Sequence, residues 1–104
     1  MAATTLTFFD YLTPLVRSGK KTITIRDETE NNYRIGSQVE VLSLETAQKI
    51  CKVEIESVDP IDFDGINEFH AQQEAMSLPE LKTLIKSIYP NTDTLFVIKY
   101  TLVS

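Results

Sequence analysis

The chain has 104 residues and a formal net charge of −5, and 42% of its residues are hydrophobic and 24% charged. This length and composition predict a single globular domain over residues 1–104, and the negative charge argues against binding of a long phosphate backbone. Five of the ten basic residues lie between positions 17 and 34, so a small neutral ligand or one nucleotide remains compatible with the charge pattern.

Three absences in the sequence narrow the class of protein further. No apolar run approaches the roughly 18 residues of a membrane span, and the first residues lack the basic and apolar regions of a secretory signal. Cys51 is the only cysteine, which excludes an internal disulfide and a cysteine metal cluster. We therefore expect a cytoplasmic protein without a cysteine-bound metal, in which Cys51 packs as a small core residue.

The first quarter of the chain predicts two strands separated by a short helix. Residues 6–9 have the composition of an opening strand. Asp10 can cap a helix over residues 10–18, and Gly19 can end it because glycine readily adopts the left-handed conformation. Residues 19–28 then alternate as a second strand.

The middle of the chain predicts a hairpin after a polar loop at residues 28–36. A strand begins near Gln38, and the change of apolar parity at Leu42 predicts a bulge or a buried stretch. A turn at residues 45–48 leads into residues 50–58, which alternate between apolar and charged side chains. The side chains expected to point inward are those of Cys51, Val53 and Ile55.

Two helices are expected next. Pro60 and Gly65 bracket a turn, after which Asp64 can cap a helix over residues 66–76. The run Ser77-Leu-Pro-Glu80 is a capping box with proline in the first turn, and it predicts the start of the second helix. The apolar stripe of that helix is typical of core packing and comprises Leu78, Leu81, Leu84, Ile85 and Ile88.

Residues 95–103 predict a closing strand, and the order of elements indicates the fold class. A purely parallel sheet needs a helix between nearly every pair of strands, and the middle hairpin lacks one. The order therefore predicts an α+β fold, built as a small, mostly antiparallel β-barrel with helices packed across its openings.

The strand at residues 19–28 carries the groups best suited to chemistry. Lys21 has the parity of the buried isoleucines, a position that a lysine should avoid unless it serves a site or extends to water at the strand entrance. Thr24 is a candidate nucleophile that needs a nearby base. Strict alternation places Lys21 and Thr24 on opposite faces, so they can cooperate only if the strand begins with a twist or bulge.

Among the acidic residues, Glu74 differs in position from those on the outer face of the strand at residues 50–58. It lies near the end of a helix, one turn after His70, the only histidine of the chain. This pair is a weak metal site, because zinc sites use at least three protein ligands, and His70 is expected to be a surface residue. From the pattern alone, Glu74 is one candidate acid among several.

Several segments together resemble the small bacterial ASCH-domain proteins of the YqfB type. They are Thr7-Phe8-Phe9, Gly19-Lys-Lys-Thr-Ile-Thr-Ile-Arg-Asp-Glu28, His70-Ala-Gln-Gln-Glu74, Met76-Ser-Leu-Pro-Glu-Leu-Lys82 and Ile88-Tyr-Pro90. With the Phe-Val-Ile strand that follows, the resemblance covers nearly the whole chain. The loop at residues 29–37 and the turn at residues 45–48 match least well.

The resemblance implies a PUA-like barrel and an amidohydrolase that removes the acetyl group from N(4)-acetylcytidine without a cofactor. By position in the motifs, it assigns the base to Lys21, the nucleophile to Thr24 and the acid to Glu74. Arg26 has the parity of Thr24, and we expect it to contact the substrate. The expected partner is a small nucleoside; oligomeric state is not indicated by the sequence.

Two other functions are compatible with the sequence. The first is a non-catalytic RNA-binding module, since PUA-like barrels often bind RNA, although the acidic balance argues against tight binding. The second is an adaptor that uses the acidic stretch at residues 54–74, which has seven acids and no Lys or Arg.

Overall fold

The computed structural model describes residues 2–103, so Met1 and Ser104, the ends of the predicted domain, lie outside the described residues. Five strands form one mixed sheet in the order β1-β3-β4-β5-β2. Their bounds are β1 Thr5–Phe8, β2 Ile23–Arg26, β3 Gln38–Ser43, β4 Lys49–Asp62 and β5 Thr94–Leu102. The β1 and β3 strands run parallel and the other three pairs are antiparallel. The predicted α+β class is confirmed, with β1 and β2 at the two edges of the described sheet.

The predicted central hairpin is present as β3 and β4. Its register shifts between Val41 and Leu42, which confirms the bulge expected at the parity change. The alternation of β4 buries Cys51, Val53 and Ile55 as predicted. Their burial beside β1 and the first helix gives the larger of two apolar core clusters.

The β4 strand is longer than predicted, because it continues through Pro60 to Asp62 instead of turning. Pairing with β3 ends at Glu54, whereas pairing with β5 continues to the end of β4. Backbone hydrogen bonds of Ile55 with Gly36 and Ser37 end the contact on the β3 side. Beyond Ile55, β4 pairs only with β5 among the described strands, and a proline without an N–H fits there as it does on an edge strand.

Three α-helices connect and cover the strands: α1 Thr13–Arg17, α2 Glu68–Gln73 and α3 Leu78–Ile88. The capping box at the start of α3 is confirmed, since Ser77 Oγ accepts from the backbone N–H of Glu80 at 3.3 Å. The other two predicted caps are wrong. Asp10 lies inside a 3-10 turn that precedes α1, and its side chain makes no cap there.

The cap of α2 is Asn67 and not Asp64. Asp64 lies in a separate 3-10 turn, Phe63–Gly65, and the chain is extended again at Ile66 before the helix begins. The Oδ1 atom of Asn67 accepts from the backbone N–H of Phe69 at 2.9 Å. Within residues 2–103, no helix is long and apolar enough to cross a membrane.

A second core cluster lies between β2, β5, α2 and α3 and includes Ile25, Leu81, Ile85 and Leu95. The β2 strand is therefore covered on both faces, and its residues Ile23, Thr24 and Ile25 are all buried. A threonine in such a strand is removed from water even though it has the parity expected to face outward. This packing fixes the position of the candidate nucleophile.

Candidate active site

A cavity of about 160 Å³ opens between β1, β2, α2 and the end of α3. Lys21, Thr24 and Glu74, the three residues indicated by the family resemblance, all line it. Each is almost fully buried, with 2%, 1% and 3% of its surface exposed. The fold therefore brings together, in one largely dry site, a potential base, a hydroxyl and a carboxyl group from distant parts of the chain.

Lys21 and Thr24 share this cavity although strict strand alternation places residues three apart on opposite faces. The strand β2 begins only at Ile23, so Lys21 lies before it, and the predicted earlier start of this strand is wrong. The backbone N–H groups of Lys20 and Lys21 both donate to the Leu15 carbonyl at 3.1 Å, which holds the segment against α1. The chain therefore enters β2 irregularly, as the prediction required for Lys21 and Thr24 to cooperate.

Glu74 is placed by the end of α2. It is the C-terminal cap residue of that helix, and its backbone N–H donates to the carbonyl of His70 at 2.9 Å. The neighbouring Gln73 carbonyl accepts from the backbone N–H of Thr22 at 2.8 Å. This hydrogen bond joins the end of α2 to the entry of β2, and it holds Glu74 opposite Lys21.

The Lys21 ammonium and the Glu74 carboxylate form a buried ion pair through Nζ and Oε1. Lys21 Nζ also donates to the Ile23 carbonyl at 2.9 Å. Within the described part of the chain, Glu74 Oε1 has no partner besides this ammonium. A buried pair of this kind stays charged only while each member compensates the other.

The protonation of Lys21 depends on this environment. Burial lowers the pKa of Lys21 well below that of a free lysine, and the Arg26 guanidinium lowers it further. An ionised Glu74 opposes both effects. One proton moved from Nζ to the carboxylate converts the ion pair into a neutral pair without changing net charge, so the protonation of one group depends on that of the other.

Arg26, which was predicted to contact the substrate, also lines the cavity. One of its terminal nitrogens donates to the Thr7 carbonyl of β1 at 2.6 Å, and Nε lies 3.4 Å from Glu30 Oε2. The other terminal nitrogen lies 3.4 Å from the Ile25 carbonyl. A guanidinium has five N–H groups, so two have no partner among these contacts and can serve a ligand.

The ring of Phe8 lies between the two cations of the site. Its centroid is 5.4 Å from Lys21 Nζ and 5.3 Å from Arg26 Cζ, within the range of cation–π attraction. Phe8 also makes an edge contact with Tyr100, at 6.0 Å between centroids. Phe8 and Phe9 both line the cavity, as the aromatic pair beside the basic strand had suggested for one of the two rings.

Other residues of the cavity wall were not predicted from the sequence. The end of α3 was expected to be core only, but Ile88 is 39% exposed and lines the cavity with Tyr89. Tyr89 Oη donates to Glu30 Oε1 at 3.3 Å, and burial is the main cause that raises the pKa of Tyr89 to about 12. Glu30 had no distinguishing signal in the sequence, because it lies in a polar loop with other acids.

His70 is part of a helix cap and not of this site. Its Nδ1 accepts from the backbone N–H of Asn67 at 3.1 Å, which completes the capping box of α2. Burial lowers the pKa of His70. Among the residues described, no three His, Cys, Asp or Glu side chains are grouped to hold a metal ion.

Comparisons with known proteins identify the family of this chain. The model of the ASCH domain family matches residues 2–102. A protein of Vibrio parahaemolyticus named N(4)-acetylcytidine amidohydrolase is 60% identical over 100 residues, which are 96% of this chain and 94% of that protein. A Vibrio atlanticus protein of the same name is 53% identical over 98% of both chains.

Solved structures agree at the level of the fold. A crystal structure of an ASCH domain from Lactobacillus crispatus matches with a TM-score of 0.78 at 14% identity, over 97% of this chain and 80% of that chain. A crystal structure of an ASCH protein from Zymomonas mobilis matches with a TM-score of 0.71 at 10% identity, over 93% and 65% of the two chains. At this identity the match concerns the fold alone. Together with the family match over nearly its full length, these relatives show that the chain belongs to the ASCH domain family.

Proposed function

We propose that this protein is an amidohydrolase that converts N(4)-acetylcytidine into cytidine and acetate. The observation that carries the proposal is that Lys21, Thr24 and Glu74 line one buried cavity. The relatives at 53–60% identity that are named for this activity support it independently. The assignment of a role to each residue rests on their chemistry and their positions.

In the first half of the reaction, Thr24 acts as the nucleophile. Its hydroxyl oxygen attacks the acetyl carbonyl carbon while the neutral amine of Lys21 takes the hydroxyl proton. Glu74, in its protonated form, donates its proton to the exocyclic nitrogen as the amide bond breaks. Cytidine leaves with a free amino group, the acetyl group remains on Thr24, and the Lys21–Glu74 pair is left as ammonium and carboxylate.

The second half returns the site to its starting state. A water molecule attacks the acetyl ester, and the Glu74 carboxylate takes a proton from that water. The Lys21 ammonium gives its proton back to the Thr24 oxygen as the ester breaks. Acetic acid leaves, and the lysine and the glutamic acid are again both neutral, so the atoms and protons balance over the cycle.

This cycle requires a lysine without its proton near pH 7. For a lysine in water that state costs about 4.6 kcal/mol, since a free lysine titrates near 10.4. Burial shifts lysine pKa values by roughly 3 to 5 units, which is enough to offset this cost. The near-complete burial of Lys21 therefore supports its role as the base.

Arg26 is the proposed substrate contact. Its two N–H groups without a partner among the contacts described above suit a neutral acceptor such as the carbonyl oxygen of the pyrimidine. The ion pair with Glu30 balances the charge of Arg26. Arg26 can therefore donate hydrogen bonds to the cytosine ring without adding a net positive charge to the cavity. We expect Arg26→Lys to raise KM more than it lowers kcat, because lysine cannot reproduce the planar set of donors.

The test is deacetylation by the purified protein, followed as release of cytidine and acetate. We expect turnover by the wild type, loss of at least about 100-fold in kcat for Lys21→Ala and Thr24→Ala, and partial activity for Thr24→Ser. Normal turnover by Lys21→Ala would refute the assignment of the base. Full activity in Thr24→Ala would replace attack by threonine with direct attack by water.

The pH profile gives a separate check on the coupled pair. The active form holds one proton on Lys21 and Glu74 together, so kcat/KM should fall both when the pair gains a second proton and when it loses the first. A bell-shaped profile is expected for the wild type. A profile without an acidic limb would contradict a role for the neutral lysine.

Four related expectations accompany this proposal. We propose that residues 1–104 form one ASCH domain, and that the sheet is a PUA-like barrel whose edge strands are joined by the hydrogen bond from Arg26 to the Thr7 carbonyl. The cytoplasm stays our prediction for the compartment. The RNA-binding module stays the alternative function, and a steep salt dependence of RNA affinity in a protein without deacetylase activity would favour it.

A further inference from the structure

We propose that the carboxylate of Glu30, at the mouth of the cavity, makes this site selective for the free nucleoside over nucleotides and RNA. The inference rests on the proposed function, because it names the substrate class of the same site. It follows from three observations: the charge balance of the cavity wall, the use of the Arg26 donors, and the size of the cavity.

The charges that line the cavity are matched one to one. Lys21 is paired with Glu74 in the interior, and Arg26 is paired with Glu30 nearer the surface. Among the described residues that line the cavity, these are the four charged side chains. A ligand with a phosphate group therefore meets no unpaired cation in the wall.

Among the described residues of this wall, Arg26 is the one cation outside the buried pair, and its guanidinium is held by contacts within the protein. Its contacts to the Thr7 and Ile25 carbonyls fix the plane of the guanidinium, and Glu30 neutralises it. The two N–H groups that remain can donate to a neutral acceptor, but a phosphate bound there would gain no uncompensated positive charge. The exposed basic residues Arg17 and Arg34 do not line the cavity.

Glu30 is held in place at the mouth. It is the last residue of a 3-10 turn whose cap, Asp27, accepts from the backbone N–H of Thr29 at 3.0 Å. Its Oε1 accepts from Tyr89 Oη and its Oε2 lies beside Arg26 Nε, while about half of its side chain (49%) faces solvent. These contacts on both oxygens fix the carboxylate at the opening of the cavity.

The size of the cavity sets which part of the substrate reaches this carboxylate. Pockets that enclose a drug-sized ligand measure roughly 300–1,000 Å³, and this cavity measures about 160 Å³. It therefore has room for the acetylated base and leaves the ribose at the mouth. A 5′-phosphate, with a charge of about −1.5 to −2 at pH 7, then lies in the field of Glu30.

The expected size of the effect follows from Coulomb's law. In the wild type the Arg26 cation beside Glu30 offsets part of the repulsion between this carboxylate and the phosphate. Removing the carboxylate leaves that cation uncompensated, and at a separation of about 7 Å in water the loss of the carboxylate alone changes phosphate binding by about five- to tenfold. Salt screens this repulsion, because the Debye length falls from about 10 Å at 0.1 M to about 3 Å at 1 M. Selectivity should accordingly decrease as ionic strength rises.

The experiment compares kcat/KM for N(4)-acetylcytidine and for its 5′-monophosphate. We expect the wild type to prefer the nucleoside, and Glu30→Gln to reduce that preference about five- to tenfold at low salt. Glutamine keeps a hydrogen-bond acceptor for Tyr89 and removes only the charge. The matched control is Glu28→Gln, which removes an exposed charge from the same 3-10 turn at a position that does not line the cavity.

Three outcomes with these two substrates would overturn the inference. They are equal use of both substrates by the wild type, an unchanged preference in Glu30→Gln, and an equal change in Glu28→Gln. An acetylated oligoribonucleotide processed as well as the nucleoside would overturn it too and would favour RNA as the substrate.

A binding measurement separates this inference from the proposed function. Calorimetric titration with cytidine and with cytidine 5′-monophosphate should show the same preference and the same loss in Glu30→Gln. If no substrate is deacetylated but this binding pattern is found, the proposed function fails and the selectivity stands. If neither ligand binds, or both bind equally well, the selectivity fails whatever the catalytic result.

Discussion

Removing one member of the buried Lys21–Glu74 pair should destabilise the fold more than removing both. In Glu74→Gln the lysine loses its compensating charge while it stays almost fully buried. Breaking a buried pair on one side costs about 3–5 kcal/mol. The lysine can instead release its proton, which costs about 4.6 kcal/mol at pH 7. This cost is the upper limit of the destabilisation expected for Glu74→Gln. Lys21→Met leaves the carboxylate unpaired and should cost a similar amount.

The double variant Lys21→Met/Glu74→Gln removes both charges. The glutamine amide can donate to the Ile23 carbonyl that Lys21 Nζ occupies in the wild type, so a buried acceptor stays satisfied. We expect the double variant to be more stable than either single variant, with a coupling energy of about 2–3 kcal/mol. Urea denaturation followed by circular dichroism at pH 7 measures all four free energies of unfolding.

The pH dependence of Glu74→Gln tests the sign of the shift. Burial holds the pKa of Lys21 below its unfolded value near 10.4, so between these two values the unfolded chain carries a proton that the folded chain lacks. The free energy of unfolding should therefore rise with pH in this window, by at most about 1.4 kcal/mol per pH unit. All variants of the pair are expected to be inactive, so stability is the informative measurement.

Additive effects would refute this reasoning. If each single change costs less than about 1 kcal/mol and the double change equals their sum, the two groups are hydrated and independent in solution. A stability of Glu74→Gln that falls as the pH rises would show that the lysine pKa is raised and not lowered. Either result would also remove the physical basis for a neutral lysine base.

Three further predictions concern the frame of the site, and urea or thermal unfolding measures each of them. Phe8→Leu should cost about 1–3 kcal/mol, because it removes the contacts of the ring with two cations and with Tyr100; a cost near zero would show that the ring contributes only volume. Ser77→Ala should cost about 1 kcal/mol and lower Tm by about 4–8 °C, whereas a change below about 0.3 kcal/mol would mean that the cap of α3 is dispensable. Gly19→Ala should cost about 1–2 kcal/mol because φ is +79° there although a Cβ has free space, and a neutral effect would show that the backbone relaxes.

The elements that depend on local sequence were predictable. The capping box at Ser77 and the alternation around Val53 are complete within a few residues, and both are found where the sequence predicts them. The bulge at Leu42 was also predictable, because a change of apolar parity leaves few other solutions. In each case the signal and the structure it specifies lie in the same segment.

The errors arise where distant contacts override a local signal. Pro60 continues a strand because β5 pairs with it and β3 has already ended, which the sequence around Pro60 does not reveal. Asp64 is a suitable cap residue, but the extended chain at Ile66 moves the helix start to Asn67. Both positions depend on how the chain crosses the sheet.

The site itself was predictable only through the family resemblance. Alternation separates Lys21 from Thr24, and their shared cavity depends on contacts of the preceding segment with α1 and α2. Glu74 looks like other acids of the chain until the fold places it opposite the lysine. Glu30 gains its position from contacts with Arg26 and Tyr89, which come from other segments.

The hydrogen bond from the Thr22 amide to the Gln73 carbonyl allows the integrity of the site to be followed by hydrogen exchange at one amide. Each partner is the immediate chain neighbour of one member of the buried pair, so deuterium can replace the Thr22 amide proton only when α2 lifts away from the start of β2. The exchange rate of that single amide therefore reports the free energy of separating the two elements that carry the pair, in the protein without substrate.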